Sequence, residues 1–229
     1  EPLARAAGRV VAVELDERLI PVLRDTLSEF ENVTLVQGDI LELDPAKLVA
    51  PATRYKVVAN LPYYITSAAL RHLLEADPRP QRMVITVQRE VAERIAAQPG
   101  EMSLLAVSVQ FYGHPQVLFR IKPGSFYPSP QVESAVVRVD VHDAPPVDAD
   151  DADTFFRVVK AGFAQRRKQL RNTLAGGLHL PPKEVAARLR EAGVNPRRRA
   201  ETLSLEEWVR VTQFLPLDGA CPEIVEGGG

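Results

Sequence analysis

Cysteine is all but missing from this chain: Cys221 is the single thiol among 229 residues. One thiol cannot form an internal disulfide framework, and its rarity fits a reducing cytoplasm. The four histidines, His72, His114, His142 and His179, are scattered without ligand spacing, so no metal site is expected. No charged leader precedes an apolar core at the N-terminus, and no apolar run reaches membrane-spanning length. Neither export nor membrane insertion is therefore expected. An overall basic charge is lacking too. The formal net charge is -2 and the pI about 6.2, so any contact with nucleic acid must rest on local patches.

What is present suits one large domain or two unequal ones, with 45% hydrophobic and 25% charged residues. "RVVAVELD" (9–16) reads as a buried strand, "ERLIPVLRDTLSEF" carries apolar residues at helical spacing, and "NVTLVQGDI" reads as the next strand. This is a βαβ rhythm. "YKVVAN", "RMVITVQ" and "AVVRVDV" supply further strands with "SAALRHLLEA" and "REVAERIAAQ" as helices between, so a mostly parallel sheet is expected, with "QVLFRIKP" as an antiparallel edge. "HDAPPVDADDAD" (142–153), rich in proline and acid, reads as a linker. Beyond it the pattern is helical throughout. The expected organisation is a Rossmann-like α/β domain over 1–147 and a small all-helical domain over 148–229.

Three strand ends carry chemistry. Glu14 ends the first strand, where doubly wound folds place an acid that accepts from ribose hydroxyls, and Asp39 ends the second, suited to an adenine amine. Either carboxylate alone equally suits a helix cap or a solvated turn. Asn60 ends the third strand, in "VANLPYY". An adenine amine is a poor nucleophile because its lone pair is delocalised into the ring. Oxygen acceptors on its N–H groups, such as the Asn60 side chain and the Leu61 carbonyl, would favour a pyramidal nitrogen. Pro62 removes a donor and fixes φ, and Tyr63 offers a face for a flipped base. The same letters also suit a strand followed by an Asn-Pro turn with a core tyrosine.

These residues carry a resemblance. "NLPYYIT" after "VVAVELD" and "QGDI" is similar to the ribosomal RNA adenine dimethyltransferases, which use S-adenosylmethionine. "SFYPSPQVESAVVRV" (125–139) resembles that family's F-x-P-x-P-x-V-x-S segment, "FAQRRKQLRNTL" (163–174) its R-R-K helix and "NPRRRAETLSLEEW" (195–208) its R-A-E-x-L-S signature. The last two look more like the housekeeping small-subunit enzymes than the large-subunit enzymes of macrolide resistance.

The resemblance implies roles. Glu14 with Leu15 would hold the donor's ribose, and Asp39 with Ile40 its adenine. Asn60, with the Leu61 carbonyl, would grip the target amine and would also count among the donor-binding residues; Pro62 would keep that catalytic turn rigid, Tyr63 would stack on the base, and Phe126 would close on the opposite face. Without the resemblance, Phe126 reads as a hydrophobic plug in a Pro-rich loop. S-adenosylmethionine is the implied donor, no metal is needed, and the implied partner is the small ribosomal subunit with its RNA. Arg166, Arg167, Lys168 and Arg171, expected within two turns of one helix, and Arg197, Arg198 and Arg199 would form RNA-binding clusters. As residues alone, these read equally as a solvated charged surface or as partners of the acidic linker.

The family's glycine-rich loop is expected just before Glu1, "EPLARAAG" resembles the helix after it, and a chain without that loop should bind donor poorly. "QPGEMSLLAVSVQFYG" is shorter than the family's usual stretch and is expected to alter only a loop over the site. A cytoplasmic monomer is expected, since no long exposed apolar stripe suggests a partner face. Two other functions fit: a large-subunit resistance-type methyltransferase, and a non-catalytic assembly or transcription factor on the same fold.

Overall fold

The computed structural model describes residues 1–146 and 149–215. Cys221 and the expected boundary at Asp148 lie outside these residues. The chain divides into two compact units, Glu1–Ala92 with Tyr112–Asp143, and Glu93–Phe111 with the chain from Ala144 onward. The second unit thus recruits a segment from the middle of the sequence.

In the first unit, β1 (Val10–Glu14) and β2 (Val33–Gln37) pair in parallel, from Val10 opposite Val33 to Glu14 opposite Gln37. A separate sheet has the order β3 (Lys56–Asn60), β4 (Arg82–Gln88), β6 (Ser134–Val141), β5 (Gly113–Ile121). β3 and β4 are parallel; β6 is antiparallel to both β4 and β5. The sheets are therefore less parallel than the βαβ rhythm suggested, because β5 and β6 are joined by a chain reversal rather than a crossover helix. β5 does run antiparallel at the edge. Its bulge between Val117 and Phe119 leaves both Leu118 and Phe119 exposed.

The core of this unit lies on β4 and β6. Met83, Ile85 and Val87 are fully buried and stand opposite Val139, Val137 and Ala135, which are fully buried too. Alternation along β4 puts all three on one face. In α4 (Thr66–Leu74) the buried residues Ala69, Leu70, Leu73 and Leu74 recur at helical spacing and form one stripe. β1 differs. Its five residues are all half-exposed, although "VVAVE" reads as a core strand, and one edge of β1 and of β3 has no strand neighbour among the described residues. The remaining helices are α1 (Pro2–Ala6), α2 (Ile20–Thr26) and α3 (Pro45–Val49), while α5 (Arg89–Ile95) begins in this unit and ends in the second. In α3 the Asp44 side chain accepts from Ala46 N at 2.9 Å and Pro45 follows the cap.

The second unit is helical: α6 (Leu104–Tyr112), α7 (Ala149–Phe163), α8 (Leu170–Leu178), α9 (Pro182–Glu191) and α10 (Leu205–Phe214). The stretch expected to alter only a loop contains the helix α6, with Ala106, Val107, Val109 and Phe111 buried. The acidic run expected to end a linker is the start of α7. Phe111, Phe155 and Phe156 form a ring cluster with centroids 4.6 to 5.2 Å apart. Trp208 is fully buried and lies so close over Gly162 that a Cβ there would meet the indole at 2.3 Å. α10 opens with a capping box, Ser204 accepting from Glu207 N and the Glu207 carboxylate accepting from Ser204 N.

Candidate active site

Glu14 and Asp39 share one edge of the first unit. Glu14 closes β1, and its backbone carbonyl accepts from Gly38 N at 3.0 Å, which puts the residue before Asp39 against the end of β1. Glu14 Oε1 accepts from Asp16 N at 2.8 Å, and Asp39 Oδ1 accepts from Leu41 N at 2.9 Å. Each carboxylate spends one oxygen on its own turn. The second oxygen of each has no hydrogen-bond partner among the described residues, and both side chains are half-exposed. Leu15 is exposed and Ile40 half-buried beside them.

Two supports of this edge escaped the sequence reading. Hydrogen bonds from the Arg18 side chain, the nearest at 2.6 Å, hold the Asp16 carboxyl at about 2 and pin the turn after Glu14. His72 on α4 places Nε2 2.9 Å from the Leu43 carbonyl, while Leu43 N donates to the Asp39 carbonyl at 3.0 Å, so the loop carrying Asp39 is tied to a helix. A histidine without ligand spacing gave no signal for this, because its partner is a main-chain oxygen 29 residues away.

The Asn60 turn stands on the other sheet. Asn60 ends β3 opposite Thr86 of β4, is exposed, and its carboxamide bonds to no described residue. Leu61 is buried, and its carbonyl accepts from no described donor outside the strand ladder. Pro62 starts a single 3-10 turn, Tyr63–Ile65, with its carbonyl accepting from Ile65 N at 3.1 Å. Two acceptors thus remain open while the turn's own backbone is satisfied one residue later. Tyr63 is half-buried, and its hydroxyl lies 2.7 Å from Ser134 Oγ. Phe126, also half-exposed, follows a second 3-10 turn, Pro123–Ser125, in the chain that returns to Ser134.

The basic residues are arranged differently from the expectation. α7 ends at Phe163 and α8 begins at Leu170, so Arg166, Arg167 and Lys168 are exposed in the turn between two helices rather than on one helix. Gln169, extended at φ -68° and ψ 148°, makes the break. Arg171 is half-buried in the first turn of α8. Leu170 N donates to the Arg198 carbonyl at 2.7 Å and Arg171 N to the Pro196 carbonyl at 3.2 Å, which brings both basic clusters together. Arg197 and Arg199 are exposed there. Arg198 is half-buried and bonded within the fold: its two terminal nitrogens fork onto Glu207 at 2.5 and 2.9 Å, and its Nε donates to Thr202 Oγ1 at 3.1 Å. It serves the fold.

Residues 1–216 match the family model described as ribosomal RNA adenine dimethylase. The chain belongs to that family. It is 47% identical to a ribosomal RNA small subunit methyltransferase A of Dehalococcoides mccartyi, covering 91% of this chain and 72% of that one. A methyltransferase of the same name from Moorella thermoacetica is 42% identical, over 94% and 78%. Among solved structures, the 23S rRNA methyltransferase ErmE matches with a TM-score of 0.73 at 27% identity, covering 93% of this chain and 84% of that one. A dimethyladenosine transferase from Plasmodium falciparum has a TM-score of 0.79 at 20% identity, covering 92% and 82%, a likeness of fold.

As a ribosomal RNA adenine dimethylase the chain is a methyltransferase that uses S-adenosylmethionine, on a Rossmann-like α/β fold. The edge that carries Glu14 and Asp39 fits such a group chemically. A nucleoside offers hydroxyl and amine donors, and Glu14 and Asp39 each keep one carboxylate oxygen open to accept them. Among the described residues no helix is long and apolar enough to cross a membrane, and no three histidine, cysteine, aspartate or glutamate side chains gather as a metal site.

Proposed function

We propose that this dimethylase modifies the exocyclic amines of two adjacent adenines near the 3' end of small-subunit ribosomal RNA, on the assembling subunit, as a cytoplasmic monomer. The observation that carries the reading is the Asn60–Tyr63 turn, with two open amide acceptors beside an aromatic ring held at its hydroxyl. The names of the relatives at 42 and 47% identity support the choice of subunit.

When bound, the donor supplies an electrophilic methyl on a sulfonium sulfur. Glu14 accepts from its ribose, with Leu15 alongside, and Asp39 accepts from its adenine amine, with Ile40 alongside. Asn60 Oδ1 and the Leu61 carbonyl accept the two N–H bonds of the target amine, which localises the nitrogen lone pair toward the methyl. Tyr63 stacks on the extruded base and Phe126 covers its other face. The N–C bond forms as the S–C bond breaks in line, the sulfur leaving as a neutral thioether. The methylated ammonium then loses its proton to water, so positioning rather than a side-chain base carries the rate. Residues 148–229 act as the RNA-binding domain, with Arg166, Arg167, Lys168, Arg171 and Arg197 on phosphates.

The likeness to a 23S rRNA methyltransferase at 27% identity supports a second reading, large-subunit methylation. Transfer of labelled methyl groups from S-adenosylmethionine by the full-length protein separates the two, with undermethylated small subunits and naked large-subunit RNA as parallel substrates. Dimethyladenine in the small subunit alone is expected. Label in large-subunit RNA alone would replace this reading with the second, and subunit binding without transfer to either would leave a binding factor.

A further inference from the structure

We propose that Ser134 is a positioning residue for methyl transfer, acting through Tyr63. The inference rests on the reading of Tyr63 as the ring that stacks on the target adenine. Tyr63 sits in a three-residue 3-10 turn supported by Ile65 N on the Pro62 carbonyl at 3.1 Å and Thr66 Oγ1 on the same carbonyl at 3.4 Å. Those bonds fix the backbone and leave the ring's direction free. The direction is set at the other end, where the phenol oxygen and Ser134 Oγ lie 2.7 Å apart. A ring tied at both Cβ and Oη keeps its long axis, and a swing about χ1 would break the bond.

The anchor is rigid. Ser134 has no exposed surface, and its backbone stands in β6 opposite Gln88 of β4 and Ile121 of β5, so two ladders hold it. A hydroxyl buried on a sheet costs free energy without a partner, and Tyr63 is the partner. Ser134 also receives the chain that carries Phe126, and that chain is fastened one residue earlier by Arg89 N on the Glu133 carbonyl at 2.9 Å. The base of the Phe126 loop and the tip of Tyr63 thus meet at one buried serine. Ser134 touches neither base nor donor. It presets the stacking ring, so that ordering of Tyr63 is complete before the adenine arrives.

The test is a two-residue cycle in methyl transfer to undermethylated small subunits, with Tyr63→Phe, Ser134→Ala, the double variant and Asn60→Ala run together. Tyr63→Phe keeps the ring and its packing, so it carries the test even where Ser134→Ala folds poorly. Each single variant is expected to lower kcat about three- to tenfold with the KM for S-adenosylmethionine unchanged, and the double to be no worse than either single. Losses that multiply in the double, or single variants at the parent's kcat while Asn60→Ala is crippled, would overturn the role of Ser134 and leave the target turn standing. Parent-level activity in Asn60→Ala would overturn the underlying reading as well.

Discussion

The edge with Glu14 and Asp39, proposed to hold the donor, and the Asn60–Tyr63 turn, proposed to hold the target, are built on different amounts of core. β1 and β2 carry Glu14 toward Asp39 without one fully buried residue between them, and their order at the site comes from local bonds: Asp16 to Glu14, Arg18 to Asp16, His72 to the Asp39 loop. The target turn instead hangs from a four-stranded sheet with β4 and β6 buried at its centre, and a single hydrogen bond transfers that rigidity to Tyr63. The difference has a chemical logic. On the proposed roles, carboxylates that accept from a flexible nucleoside tolerate some give, whereas a ring and two acceptors that must align a lone pair with a methyl do not.

The largest effect should come from cutting into the rigid side. Ile85→Ala, which empties a fully buried site between Val137 and its neighbours, is expected to cost about 3 kcal/mol in denaturant unfolding. Val13→Ala on half-exposed β1 is expected to cost about 1 kcal/mol or less. Equal costs would erase the contrast.

A parallel contrast separates arginines spent on the fold from those left open. Glu207→Ala removes both the capping box of α10 and the fork from Arg198, and about 2 kcal/mol of stability is expected to go with it. Arg167→Ala should leave unfolding within about 0.5 kcal/mol and flatten the salt dependence of RNA binding instead. The Arg198 hydrogen bond holds the Glu207 carboxyl below its ordinary range. Its stabilising contribution is therefore complete above that ordinary range and fades as pH falls through the lowered value. An Arg198→Ala variant should lose that acid-limb dependence in a pH series of unfolding midpoints.

The smallest effect is expected at Tyr64 and Tyr127, which are 84% and 102% exposed and follow Tyr63 and Phe126 in the chain. Alanine at either should shift unfolding by less than about 0.5 kcal/mol. A larger loss by thermal unfolding would mean that the target loops are packed more tightly than their exposure indicates.

Much of this was legible beforehand, and the failures have a common cause. The strands showed as apolar runs, and Glu14 and Asn60 at two strand ends followed from them, while Asp39, expected to end the second strand, lies two residues past Gln37, where β2 stops. That "VVAVE" is half-exposed was not legible, since an apolar run reports a strand and not what covers it. α6 was missed because its segment was weighed only by its length against a family stretch, although "SLLAVSVQF" has the composition of a buried helix. "RRR" at 197–199 could not reveal which arginine is spent, because Glu207 lies nine residues from Arg198, a partner set by the fold rather than by helix spacing. Ser134 closed a recognisable motif but had no legible role, its partner being 71 residues away.

The most direct test of the target turn is single-turnover methyl transfer by Asn60→Ala, with S-adenosylmethionine affinity measured on the same sample. The rate should fall about 10²- to 10³-fold with donor Kd within about twofold of the parent. An unchanged rate would contradict the account, and so would a rate lost only in proportion to donor binding, since Asn60 would then belong to the donor edge and not to the adenine.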